Sequence, residues 1–201
     1  MRAQKTKQRI LGAALKIFQD EGLHRPSAVD IATALGISPG HLYYHFHGKP
    51  ELIAALFDSH REEMMLILNG LSEAEPKLDL LWTHVQIVLE EIQDMQFLYR
   101  DLKSTCAVSE SLGRGMRTIM TGLRRALRDM LQRMVAAGTL PKTQGLSDML
   151  AEQMTTAILG RLNIQEIEQP NETPRGQVTN AALFVMTIVA AQVENAAPQK
   201  A

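Results

Sequence analysis

The stretch SAVDIATALGISPGHLYYHFHGK, residues 27–49, sets the frame for the whole chain. Ser27 precedes the apolar set Ala28, Ile31, Ala32 and Leu35, which has helical spacing, and Gly36 closes it. Ser38 then caps a second short helix that opens on Pro39, where a missing N–H does no harm. Ala32, Gly36 and Leu42 have the spacing of a helix-turn-helix: a small residue at the crossing, glycine in the turn, an apolar anchor on the second helix. If Leu42 and Phe46 face a core, His41, Tyr43, Tyr44 and His45 are left outward. Two adjacent tyrosines among histidines suit neither a core nor an ordinary surface. They suit a helix lying in a DNA major groove, its polar aromatics meeting phosphates and base edges. Gly40 removes a side chain where such a helix must approach closely. Ser27 and Ser38 mark helix starts, where free N–H groups favour a phosphate, and Lys49 adds a positive charge.

Working outward, helical periodicity continues in both directions and no segment alternates as a strand does. Upstream, Ile10, Ala14, Ile17 and Phe18 form one apolar face, ended by Gly22. Downstream, Pro50 opens a longer helix through Leu52, Ile53, Leu56, Phe57, Met64, Ile67 and Leu68, closed by Gly70. Leu78 to Ile92 reads as another helix, and MQFLYRDL, 95–102, as a shorter one. Met116 to Met134 mark a long helix that ends near Gly138. Residues 146–166 make the next, QPNETPRG, 169–176, a loop, and 177–195 the last. That last helix is apolar nearly all round, which calls for cover on most sides. A partner subunit is the expected source.

The 201 residues suffice to bury a core without disulfides, and the one cysteine, Cys106, allows no internal disulfide framework. The basic N-terminus has no apolar run behind it and does not read as a secretory signal. The longest apolar stretch, 181–191, reads as too short to span a bilayer. A cytoplasmic protein with no membrane association is expected. The net charge of −1 hides an asymmetry. Residues 1–50 hold seven Lys/Arg against three Asp/Glu, the remainder fourteen against nineteen, so an anion-binding surface belongs at the front.

Residues 6–56 resemble the DNA-binding domain of the TetR family of bacterial transcription regulators. The resemblance lies in ILGAALKIFQDEGL, SAVDIATALGIS and PGHLYYHFHGKPELIAAL, above all in LYYHF followed by a lysine. It implies an all-α fold: an N-terminal three-helix DNA-binding domain with a helix-turn-helix, here residues 1–49, and a helical ligand-binding and dimerisation domain, 50–201. About nine helices are implied, in agreement with the count from periodicity. It implies phosphate contact by Ser27, Ser38, Tyr43 or Tyr44, and Lys49. It implies base-edge or groove contact by Pro39, Gly40, His41, Tyr44 and His45. The chain departs from the pattern at Pro26, Pro39 and His41, so no operator sequence carries over.

Other readings stand beside these. His41 and His45, at i and i+4, could share a metal ion, but no third ligand is well placed and no metal or cofactor is expected. Arg2, Lys5, Lys7 and Arg9 make either a solvated tail or an arm on phosphate. Cys106 lacks the signature of a catalytic nucleophile, so no enzyme is expected. Ten of the eleven methionines follow residue 60, which suits an adaptable apolar pocket as well as an ordinary core. Trp82, Phe97, Tyr99, Cys106, Met116 and Met120 are the candidates to line a site for a small apolar or amphipathic effector. A palindromic operator requires two recognition helices about 34 Å apart or a multiple of it, hence a homodimer. Helices 146–166 and 177–195 carry the apolar surplus for it. The expected function is a ligand-responsive repressor. The alternative is a structural DNA-binding protein of the same type with no small-molecule inducer.

Overall fold

The computed structural model describes residues 2–196, with side chains described for 4–193. Among these are nine α-helices, one 3₁₀ turn and no strand, the all-α class that the periodicity predicts. The helices are α1 (Arg2–Glu21), α2 (Ala28–Ala34), α3 (Pro39–His45), α4 (Lys49–Glu73), α5 (Leu78–Asp94), α6 (Leu102–Ala107), α7 (Glu110–Ala136), α8 (Leu146–Glu168) and α9 (Pro174–Ala196). Two compact units result. One takes Met1–Glu62 with Met95–Met116, the other Glu63–Asp94 with Arg117–Ala201.

In the first unit the core is the apolar stripe of each short helix turned inward. Ile10, Ala14 and Phe18 of α1 are buried, as are Ile31 and Ala32 of α2, Leu42 of α3 and Leu52 and Ile53 of α4. A seven-residue helix is unstable alone, so α2 and α3 depend on this packing and on their ends. Burying Leu42 and Phe46 contributes about 1.5–3 kcal/mol each. The turn between α2 and α3 puts Gly36 at φ +64°, which a side chain rarely adopts. The Gly36 N–H donates to the Thr33 carbonyl and the Ile37 N–H to that of Ala32, closing α2. Phe97, in the 3₁₀ turn Gln96–Leu98, stacks on Phe18 with centroids 5.3 Å apart. His60 on α4 lies 2.7 Å from the Tyr99 hydroxyl, both buried.

In the second unit α9 packs on α8 and α5, burying Val178, Ala181, Ala182, Val185 and Val189. Arg133 of α7 donates to the carbonyls of Leu71, Ser72 and Ala74, satisfying the open C-terminal end of α4 with a cation where the helix dipole favours one.

Three boundaries differ from the sequence reading, two of them because of a cap. Residues 95–102 are not one helix. Asp101 accepts from the Ser104 N–H at 3.0 Å and starts α6 at Leu102, leaving a 3₁₀ turn before it. α9 begins at Pro174, inside the stretch read as loop, because Thr173 Oγ1 accepts from the Gly176 N–H at 3.1 Å. Residues 2–9 are the opening turns of α1, with Lys5, Lys7 and Arg9 exposed on it, and not a loose tail; the Arg2 side chain lies outside those described. The earlier start of α9 also changes the membrane expectation. Pro174–Val193 is a 20-residue span of mean hydropathy 1.4, long and apolar enough to cross a bilayer by length and composition.

Candidate nucleic-acid interface

The site is built on α3 and the helix ends around it. Ser38 Oγ accepts from the His41 N–H at 3.1 Å, and Pro39 supplies the first helical position. With Leu42 and Phe46 anchored below, the outward side holds Pro39, Gly40, His41, Tyr43 and Tyr44, all exposed. Tyr44 stands 81 % exposed and Tyr43 47 %. An added Cβ at Gly40 would meet nothing within 4 Å, so the protein itself does not demand glycine there.

His45 corrects the expectation of four outward polar residues: it is 7 % exposed. Its ring meets Tyr44 edge-on at 5.0 Å and His41 at 5.4 Å. The imidazole thus supports the two residues that do face outward. The signal was present in the spacing, since Leu42, His45 and Phe46 stand at i, i+3 and i+4 on one helical face.

Lys49 does not project freely either. Its ammonium donates to the His24 carbonyl at 3.1 Å and lies 6.0 Å from the Phe18 ring centre, and partial burial lowers its pKa. The two serines differ. Ser27 is locked in a capping box. Asp30 accepts from its N–H and hydroxyl, both at 2.7 Å, while Ser27 Oγ accepts from the Asp30 N–H at 3.2 Å. These Ser27 bonds hold the Asp30 carboxyl below its usual range, so the start of α2 already carries an anion. The first turn of α3 holds no acid, which makes Ser38 the better phosphate seat of the two.

Two further groups stand beside α3. Lys7 of α1 places its ammonium 5.4 Å from the Phe46 ring centre, which brings a cation to the end of α3. Glu51 accepts from the His47 N–H and lies 2.9 Å from His47 Nδ1; the backbone bond, then the side-chain bond, lowers its pKa. The lysine was legible only as part of a basic run.

The effector candidates are divided. Phe97, Tyr99 and Met116 are buried and Cys106 half-buried in the first unit, while Trp82 and Met120 are half-buried in the second. None of them lines the three grooves found in the second unit. One of about 570 Å³ runs along α8 and α9, walled by Thr156, Ala157, Gly160, Ile164, Phe184 and Ile188. Another, of about 430 Å³, is bounded by Leu78, Leu183, Met186 and Ala190. The last, of about 410 Å³, is polar, with Arg124 and Glu152 paired at 2.9 Å. Among the described residues no three His, Cys, Asp or Glu side chains gather as metal ligands.

Comparison with known proteins agrees with this geometry. Residues 10–56 match the family model for bacterial regulatory proteins of the tetR family, and residues 59–200 match that for a bacterial transcriptional repressor, TetR. The probable HTH-type transcriptional regulator ArpR of Pseudomonas putida is 34 % identical over 93 residues, 46 % of this chain and 44 % of that protein. The aligned part thus spans under half of that relative. A TetR-family transcriptional regulator from Marinobacter aquaeolei VT8 has the same fold, with TM-score 0.82 over 96 % of this chain and 99 % of that one at 21 % identity. The SmeT–triclosan complex gives TM-score 0.69 over 93 % and 91 % at 19 % identity. SmeT is the repressor of the Stenotrophomonas maltophilia multidrug efflux pump SmeDEF.

Proposed function

The chain belongs to the TetR family of bacterial helix-turn-helix transcription regulators, not to a family of enzymes, and from that premise we propose that it is a cytoplasmic, homodimeric repressor released from its operator by a small molecule. The observation that carries the DNA-reading half is the outward face of α3. Its tyrosines are exposed side by side over a buried Leu42 and Phe46, the form of a helix seated in a major groove. Tyr43 and Tyr44 donate to phosphate oxygens, Ser38 offers its helix start, and His41 reaches a base edge. Pro39 and Gly40 lie against the groove floor. His45 acts from beneath as a support, Lys49 and Lys7 add positive charge beside it, and Ser27, bonded to Asp30, is the weaker of the two serine contacts.

The dimer half rests on α8 and α9. Among the described residues, five of the ten exposed large apolar side chains belong to these helices: Met149, Ile164, Ile167, Leu183 and Phe184. Ile164 and Phe184 also wall the groove of about 570 Å³. A second copy, related by a two-fold axis, covers this face and sets the spacing of the two α3 helices. That cover also accounts for the length and hydropathy of α9 without a bilayer.

The effector half follows the likeness to SmeT, solved with triclosan. An apolar or amphipathic molecule bound by the helices that follow the DNA-binding domain favours a state in which the helix spacing no longer fits DNA. It acts only by its unequal affinity for the two states. α4 contributes residues to both units and is the continuous chain through which the change passes.

The test starts with selection of duplexes from a random library by the purified chain, followed by titration of the best one. Tyr44→Ala is expected to abolish operator binding while helicity and dimerisation persist. Affinity should also fall steeply as salt rises, because phosphate contacts release counterions. Loss of folding in Tyr44→Ala, or an affinity indifferent to salt, refutes the reading.

A further inference from the structure

The exposed face of α3 has an unusual chemistry for a DNA reader. Pro39–His45 contains no Arg, Lys, Asn, Gln, Asp or Glu. The side chains that read bases with paired hydrogen bonds are therefore missing from it. Its outward polar atoms are two phenols and one imidazole, and only the imidazole changes charge between about pH 5 and 8. His41 is exposed, and His45, its ring neighbour at 5.4 Å, is not. His41 is therefore the imidazole of α3 that DNA reaches.

Fixed charges on the surrounding elements are largely committed. On α2, Asp30 is bonded to Ser27. On α4, Glu51 is bonded to His47, and Lys49 donates to the His24 carbonyl. On α1, Lys7 lies over Phe46. None of these contacts involves His41. The charge that α3 itself brings to DNA is thus set by pH.

Given the reading of α3 as the groove-seated helix, on which this rests, we propose that His41 is the proton-linked specificity residue of the operator complex, taking up a proton on binding and preferring guanine when it does. A neutral imidazole has one donor and one acceptor; the imidazolium has two donors and no acceptor. Guanine shows the major groove two acceptors, N7 and O6, whereas adenine shows an acceptor and a donor. The protonated ring can only donate, to either acceptor of guanine but to N7 alone of adenine, so protonation shifts the preference towards guanine. His41 is the third residue of α3, near the end that contacts base edges in this docking mode. Binding beside guanine acceptors and phosphates raises the proton affinity of the ring, so the complex holds more protons than its free parts. By linkage, affinity rises as pH falls.

The experiment titrates the full-length chain with a fluorescent duplex, selected from a random library at pH 7.0, at pH 6.0, 7.0 and 8.0 and constant ionic strength. Each His41 whose proton affinity rises tenfold in the complex weakens binding by up to about tenfold between pH 6.0 and 8.0. His41→Gln is expected to lose that slope and to be weakened most at pH 6.0, and His84→Gln, in the second unit, to keep it. Calorimetry in buffers of different ionisation enthalpy should record proton uptake by the parent and not by His41→Gln. Repeating the selection at pH 6.0 and 8.0 should enrich guanine at one position per half-site at the lower pH. A well-bound duplex with no pH slope, or a slope that survives His41→Gln, overturns the proposal and leaves the DNA-reading role of α3 intact. If no duplex is selected at any pH, that role fails and the proposal with it.

Discussion

Gly115→Ala and Gly122→Ala make the same change on one helix, α7, and should differ sharply in cost. A Cβ at Gly115 would sit 2.4 Å from Phe57 Cε1 and 2.7 Å from Cζ. Carbon atoms in good contact lie about 3.5–4.0 Å apart, so ring or helix must retreat by about 1 Å. Phe57 is 3 % exposed and has little room to retreat. Overpacking of this kind costs about 1–3 kcal/mol. At Gly122 the nearest atom is Leu68 Cδ1 at 3.2 Å, the end of a flexible side chain that needs to yield only a few tenths of an ångström. Both substitutions gain about 1 kcal/mol of helix propensity, which cancels in their difference. Gly115→Ala should therefore be less stable than Gly122→Ala by about 1–3 kcal/mol, with Gly122→Ala near or above the parent. Urea unfolding followed by helix ellipticity, at one fixed protein concentration, reads the difference. In a thermal scan it corresponds to a gap of about 2–12 °C. Phe57→Leu in the Gly115→Ala background should recover part of the loss. Equal stability of the two variants within about 0.5 kcal/mol, or no recovery, refutes the close approach of α7 to Phe57.

The cap of α2 predicts an acid response. Ser27 bonds lower the Asp30 pKa, so their stabilisation is full above the ordinary carboxylate range and is lost as pH falls through it and below. The melting temperature of Ser27→Ala should thus lie below the parent at pH 7 and converge on it towards pH 3. The difference cancels Asp94, whose pKa burial raises; a constant gap at all pH values refutes the capping account. On the other unit, Phe184→Glu places a charge on the apolar face of α9, and sedimentation should show monomer where the parent is dimer. The same variant should bind operator far more weakly although α3 is untouched, and retention of dimer and operator affinity would place the interface elsewhere.

The sequence disclosed the elements wherever two independent signals coincided. α2 and α3 each had a serine cap and an apolar stripe, and both were bounded within a residue or so. It misled where one signal was set aside. The Thr173–Pro174 pair has the same starting chemistry as Ser38–Pro39, but lay in a run of Pro, Asn and Gly that reads as loop. Asp101 was taken as helix interior because MQFLYRDL is apolar enough to continue, yet an aspartate bonds the backbone three residues on and begins a helix instead. At the site, the polarity of His45 suggested exposure while its phase said burial, and phase prevailed. Lys49 could not be placed from sequence at all, since its partner carbonyl lies 25 residues earlier. The effector pocket was less legible still, because methionine and aromatic residues at helical spacing describe core and cavity equally.

The chemistry of α3 and the surface of α9 belong to one argument. A seven-residue helix without fixed charge offers a handful of hydrogen bonds and two tyrosine rings, too little for tight hold on a duplex. In the proposed dimer two such helices would share the entropic cost of the first encounter, because the second binds at an effective concentration set by the dimer's geometry. Affinity then depends on their separation more than on either contact set. A molecule that alters the spacing by a few ångströms removes the second site while leaving each α3 intact. Weak individual reading is thus what makes release possible: a helix armed with several arginines would hold DNA as a single arm and resist the effector. Adding charge tests this directly. Gln8→Arg, at an exposed position beside Lys7 on α1, should raise affinity for DNA of any sequence and reduce the fraction that an effector can displace.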